Sequence, residues 1–155
     1  MGFQISALQR ARFDNVLGLD DEALAALGAS RYVVDRKPGF PCRVSLQDAE
    51  PGERVILLPF EHQDGGSPYR ASGPIFVREA ATDVVIPPDV VPELLRTRLL
   101  SVRTYNAADL MIEADVVDGV DVERTIERSL DDRRAAYLHV HFARPGCYAC
   151  RVDRT

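Results

Sequence analysis

The chain has no apolar run approaching the roughly 20 residues that a membrane-crossing helix needs, so no helical membrane span is expected. It has no internal repeat and no low-complexity tract, which argues against a solenoid or a disordered array. Positive charge is not in excess. With 19 basic and 24 acidic side chains the formal net charge is -5, unlike the basic face of a nucleic-acid binder. Cysteines are few and odd in number, three in all, so a framework of paired disulfides is not expected. The start, Met1-Gly2-Phe3-Gln4-Ile5-Ser6, lacks a basic region followed by a long apolar stretch, so no secretory leader is expected. Met1-Gly2 with Ser6 is a loose match to a myristoylation start. These absences point to a reduced cytoplasmic protein with no membrane or nucleic-acid partner. A small-molecule partner and the oligomeric state stay open. In a reducing compartment cysteines serve as buried filler, metal ligands or catalytic thiols.

What is present suits a globular chain. Hydrophobic residues make up 46% and charged residues 28% of the 155 residues, which fits one domain over 1–155. A chain of this length buries roughly two thirds of its unfolded surface and needs no disulfide staple.

Asp20 to Gly28 reads as a short helix, with Asp20 as its cap, acids at its positive end and Gly28 closing it. Phe13, Val16 and Leu17 have helical spacing and predict a turn of helix before it. Strands are predicted at 31–35, 43–46, 54–62, 73–78, 100–105, 110–117 and 136–142, with a short edge at 150–152. Pro92 suits the first turn of a helix reaching about Arg98. Val122, Ile126 and Leu130 line one face of a further helix. Short turns link most strands. The pattern predicts an α+β fold with a largely antiparallel sheet, able to curl into a partial barrel, and two or three helices.

Chemistry-bearing residues gather near the end of the chain. In a strand over 136–142, Ala136, Leu138, Val140 and Phe142 share one face, which should be the core. Tyr137, His139 and His141 share the other. Two histidines at this spacing lie about 7 Å apart along the strand and can both lean on one metal ion. The bland alternative is a solvated strand face carrying polar residues by simple alternation.

Cys147-Tyr148-Ala149-Cys150 has the spacing of a metal-binding or redox pair. Only five residues follow Cys150, too few for the helix that a thioredoxin-like site requires. Two small packed residues are the alternative. Cys42, between Pro41 and Arg43, is a buried residue, a reactive thiol or a further metal ligand. His62 is expected at a strand end beside the Gln63–Ser67 loop.

Arginines form a separate group. Arg70, Arg78, Arg103, Arg144 and Arg151 lie in or beside predicted strands, and guanidinium groups grip carboxylate or phosphate through paired hydrogen bonds. The loop from Pro68 to Pro74 adds Tyr69, Ser72 and backbone donors around Arg70.

Three stretches in order carry a resemblance: Lys37-Pro38-Gly39-Phe40-Pro41-Cys42-Arg43, Ser67-Pro68-Tyr69-Arg70-Ala71-Ser72-Gly73-Pro74-Ile75-Phe76, and His139-Val140-His141 with Gly146-Cys147-Tyr148-Ala149-Cys150-Arg151. The chain resembles, from the Asp20 helix to Arg151, the short bacterial proteins of domain-of-unknown-function family 1203. The resemblance implies a single-domain bacterial protein and brings no activity, substrate or cofactor.

Three functions therefore compete. The first is a transition-metal site, zinc first, built from His139, His141, Cys147, Cys150 and Cys42, with or without catalysis. The second is a binding module for a small anion, phosphate or carboxylate, using Tyr69, Arg70, Arg78 and Arg144. The third is thiol redox chemistry at Cys147 and Cys150.

Overall fold

A computed structural model describes residues 2–155; Met1, and with it the start of the myristoylation-like motif, lies outside the described residues. The fold is α+β. A five-stranded sheet has the order β1-β8-β7-β5-β6 and a three-stranded sheet the order β2-β3-β4, where β1 is Phe3–Ser6, β2 Ser30–Val33, β3 Arg54–Gln63, β4 Ala71–Arg78, β5 Leu99–Tyr105, β6 Met111–Asp118, β7 Tyr137–Phe142 and β8 Tyr148–Arg154. The sheets are antiparallel, and among the described residues neither closes into a barrel. The helices are α1 (Asp14–Leu17), α2 (Asp21–Ala26), α3 (Glu93–Arg96) and α4 (Val122–Asp131). Two compact units share the chain. Of the described residues, the first holds 2–6, 61–73 and 85–155, the second 7–60 and 74–84.

In the second unit, α2 forms where Asp20 accepts a hydrogen bond from the Ala23 amide at 2.8 Å, the expected cap. Gly28, at φ +72, turns the chain out of the helix. Val34, Phe40, Ala49 and Val55 pack as a core with Phe76 against them.

The predicted strand at Arg43–Leu46 is instead a turn. Cys42 bridges Phe76, the Cys42 amide donates to the Gln47 carbonyl, and Leu46 takes φ +49. The buried Cys42 sulfur accepts from the amides of Ser45 (3.5 Å) and Arg78 (3.3 Å). The turn is tied to β4 only at its start, through Phe76 and Arg78, and curls around the sulfur instead of continuing as a ladder, so alternation in the sequence misleads here.

The first unit is built on the five-stranded sheet. Its apolar face carries Leu100 and Val102 of β5, Leu138, Val140 and Phe142 of β7, and Cys150 and Val152 of β8, all buried. Val122, Ile126 and Leu130 of α4 are buried at the predicted spacing, and α4 packs against β5 and β6. Arg154 at the end of β8 donates to the Ala135 and Asp132 carbonyls beyond the α4 C-terminus, at 3.2 and 3.3 Å.

Two expectations change in this unit. The short edge predicted at 150–152 is an interior strand, because β1 pairs with β8 from Phe3↔Arg154 to Ser6↔Arg151. The expected helix over 92–98 is a single turn with Pro92 at its N-cap, not inside it.

Gly119 joins β6 to α4 through a tight 3-10 turn. Its amide donates to the Arg98 carbonyl at 2.8 Å, and a Cβ there would lie 1.9 Å from the Leu95 carbonyl oxygen. The obstruction is backbone and cannot rotate away. Gly119→Ala should therefore lose about 3 kcal/mol of stability in urea unfolding, whereas Gly18→Ala, with nothing within 4 Å of its Cβ position, should stay within about 0.5 kcal/mol of wild type.

Candidate functional site

The opposite face of the five-stranded sheet carries the chemistry. Directly paired residues on neighbouring strands point the same way, so strand register defines three rows. Tyr105 lies opposite Tyr137; Arg103 opposite His139, which lies opposite Arg151; and Ser101 opposite His141, which lies opposite Tyr148. A bulge between Val140 and His141 shifts β8 by one residue and brings Tyr148 into the third row.

All six residues of β7 are buried, so the histidine face is not the solvated face that simple alternation would produce. His139 is 4% exposed and His141 0%. The third histidine of the chain joins them. His62, near the end of β3, has its ring 4.9 Å from that of His141 and 6.4 Å from that of His139, and stacks on Tyr148 at 5.6 Å and 15°. Tyr148 meets His139 edge-on at 5.2 Å. Tyr105 and Tyr137 stack at 5.3 Å, and each lies close to His139, at 5.1 and 5.2 Å.

Hydrogen bonds hold this aromatic wall in place. Tyr137 donates to Asp109 at 2.6 Å and accepts from Gln63 at 2.9 Å. Burial, then the Asp109 carboxylate, pushes the Tyr137 hydroxyl up to about 12. Burial also raises Tyr105, with Gln63 and Arg103 beside its hydroxyl pulling the other way.

The turn after β7 orients His141. Gly146, at φ +82, closes that turn, and its carbonyl lies 3.0 Å from His141 Nδ1. A carbonyl only accepts, so in the neutral ring Nδ1 carries the proton and Nε2 presents a lone pair. Among the described residues that Nε2 is buried with no hydrogen-bond partner, as is Nδ1 of His139.

Burial pulls both rings down to about 3. The His62 ring and the Arg151 and Arg103 charges add to this at His139, and Arg103, His62 and His139 add to it at His141. Both imidazoles are neutral at pH 7.

The two cations of the face differ. Arg151 is held by Asp153 through contacts of 2.8 to 3.0 Å and covers the Tyr137 ring at 4.0 Å. Half-buried Arg103 donates to Ser101 Oγ at 3.3 Å, and among the described residues no carboxylate is paired with it.

The other arginines proposed from the sequence lie elsewhere. Arg70 is gripped at both ends by Glu61, at 3.1 and 3.0 Å, and is exposed. Arg78 belongs to the second unit, where Glu53 takes it at 2.8 and 2.7 Å and holds its own carboxyl below the usual range through that contact. Arg144 is exposed at the turn after β7. Tyr69 is exposed and meets Tyr105 edge-on at 6.2 Å.

The mixed histidine and cysteine shell is not assembled. Cys150 lies opposite Val140 and so points to the apolar face, away from His139 and His141. Cys147 sits half-buried before β8, and Cys42 belongs to the second unit. Among the described residues no three His, Cys, Asp or Glu side chains are set to hold a metal ion. All three cysteines are thiols.

Sequence reasoning placed His139, His141 and Arg103 in view. It missed the part played by His62 and passed over Ser101, Tyr105 and Tyr148 as site residues. The polar alternation Ser101, Arg103, Tyr105 was the available signal.

The first unit is thus an α+β assembly with one sheet face under a helix and the other lined by neutral imidazoles, tyrosines and arginines. The family model described as Protein of unknown function (DUF1203) matches residues 39–154, and the chain belongs to that family. No curated protein and no solved structure matches it significantly.

The neutral histidines carry a pH consequence. Their ordinary value is 6.5, so below it the unfolded chain takes up protons that the folded chain refuses. Stability is then full above pH 6.5 and falls as pH drops towards 3. From pH 7 to pH 5 each histidine should cost about 2 kcal/mol, or about 4 kcal/mol for the pair. Urea unfolding at the two pH values measures this, and His139→Gln should remove about half. Equal stability at both would show that the rings ionise freely in the folded protein.

Proposed function

We propose that the histidine face of the five-stranded sheet binds a small anion, a carboxylate or a phosphate, gripped by Arg103. One observation carries the reading. Arg103 is half-buried beside buried imidazoles, and no carboxylate of the described residues is paired with it. A partly desolvated guanidinium without a counter-charge is costly, and a bound anion offsets that cost. Its planar fork matches carboxylate and phosphate oxygens.

The surroundings support the same reading. Ser101 and Tyr105 place hydroxyls on the row positions beside Arg103, and the neutral histidines line the rest of the face without adding a competing negative charge. Arg31, Arg78, Arg96 and Arg151 are each already occupied by a carboxylate and half-buried Arg10 by the Glu79 and Ala81 carbonyls, whereas Arg103 is held by a hydroxyl. The protein then acts as a binding module for a small anionic molecule.

Titration calorimetry with phosphate and with short carboxylates tests the proposal. Arg103→Met should weaken binding by about 10- to 100-fold, the worth of a charge-assisted hydrogen-bond pair. Arg70→Ala, which removes an arginine already paired with Glu61, should leave the affinity unchanged. Absence of binding in the wild type, or equal binding by Arg103→Met, would overturn the reading.

A further inference from the structure

Resting on the anion reading, we propose that the site prefers an anion carrying its own proton donor, such as a hydroxycarboxylate or a monohydrogen phosphate, and that His141 is the acceptor that recognises the donor. Nδ1–H of His141 donates to the Gly146 carbonyl, which leaves a lone pair on Nε2. That nitrogen is buried and has no hydrogen-bond partner among the described residues. His141 is fully buried on a strand with both faces covered, so the ring cannot turn out to water. An acceptor placed in this way is met only by a donor brought from outside, by water or by ligand.

Arg103 lies within the same small area. Its Nε donates to Ser101 Oγ at 3.3 Å, and Ser101 is the residue directly opposite His141. The guanidinium, beside the Tyr105 hydroxyl on one side, thus reaches the His141 row through Nε on the other. A cation and a lone pair side by side ask for two different things: negatively charged oxygens and an O–H. Acetate or sulfate meets only the first. Glycolate and monohydrogen phosphate meet both. His139 Nδ1, also buried without a partner among the described residues, lies one row away on the same strand face.

Calorimetry on the wild-type protein with two matched pairs tests this: glycolate against acetate, and phosphate against sulfate at pH 7. The donor-bearing member should bind about tenfold or more tightly, because a site built around a hydroxyl rejects the analogue that lacks it. Preference confined to the first pair identifies a hydroxycarboxylate, and preference confined to the second a phosphate. Equal affinities within both pairs would overturn this inference while leaving the anion reading standing. No binding by any of the four would overturn both. Long-range proton–nitrogen NMR gives a second measurement that needs no variant. His141 should appear with its proton on Nδ1, and its Nε2 signal should move with glycolate but not with acetate. A proton on Nε2 in the free protein would also overturn the inference.

Discussion

Burial of both faces of β7 is the constraint on which the first unit depends. One face is ordinary core: Leu138, Val140 and Phe142 share the apolar side of the sheet that α4 covers. The other face places two imidazoles out of contact with bulk solvent. Two charged rings there would face each other, His62 and the Arg103 guanidinium without solvent to screen them. The rings are therefore neutral, and tyrosines pack around them through ring faces and edges. The left-handed Gly146 turn then decides which nitrogen keeps its proton. Fold, protonation state and tautomer follow from one strand having no solvated side.

Arg103 has meaning only within that setting. On the surface an arginine without a carboxylate is unremarkable, as Arg144 illustrates. Between Ser101 and Tyr105, opposite a buried histidine, the same side chain is a charge kept partly out of water. Arg151, on the far side of His139, shows the ordinary solution, a carboxylate two residues along its own strand. The face thus holds one satisfied cation and one held by a hydroxyl, and the second is the source of its chemical character.

Much of the architecture was legible from the residues. The Asp20 cap, the i, i+4 face of Val122, Ile126 and Leu130, and most strands follow from local rules and are present. The turn at Arg43–Leu46 was not legible, because a sulfur acceptor that completes it comes from Cys42 and a donor comes from Arg78, distant in sequence. The place of β8 was also hidden, since only pairing with Phe3–Ser6 makes it interior. At the site, alternation put His139 and His141 on one face, but Cys150, expected beside them as a metal ligand, lies on the other, and the residues that share the histidine face come from β5, β8 and the end of β3. Register across strands decides those neighbours, and a single sequence does not state register. For the same reason Arg70 and Arg78 stood out in loops and strands, while the carboxylates that occupy them became visible only in the fold.

The most direct measurement is a titration of isotope-labelled protein with glycolate, followed by NMR at assigned side chains. Binding at the histidine face predicts saturable shifts at Arg103 Nε, the His139 and His141 rings and the Ser101 amide, with Arg70, Arg78 and Arg144 unmoved. Shifts confined to the exposed arginines, or none that saturate, would contradict the account.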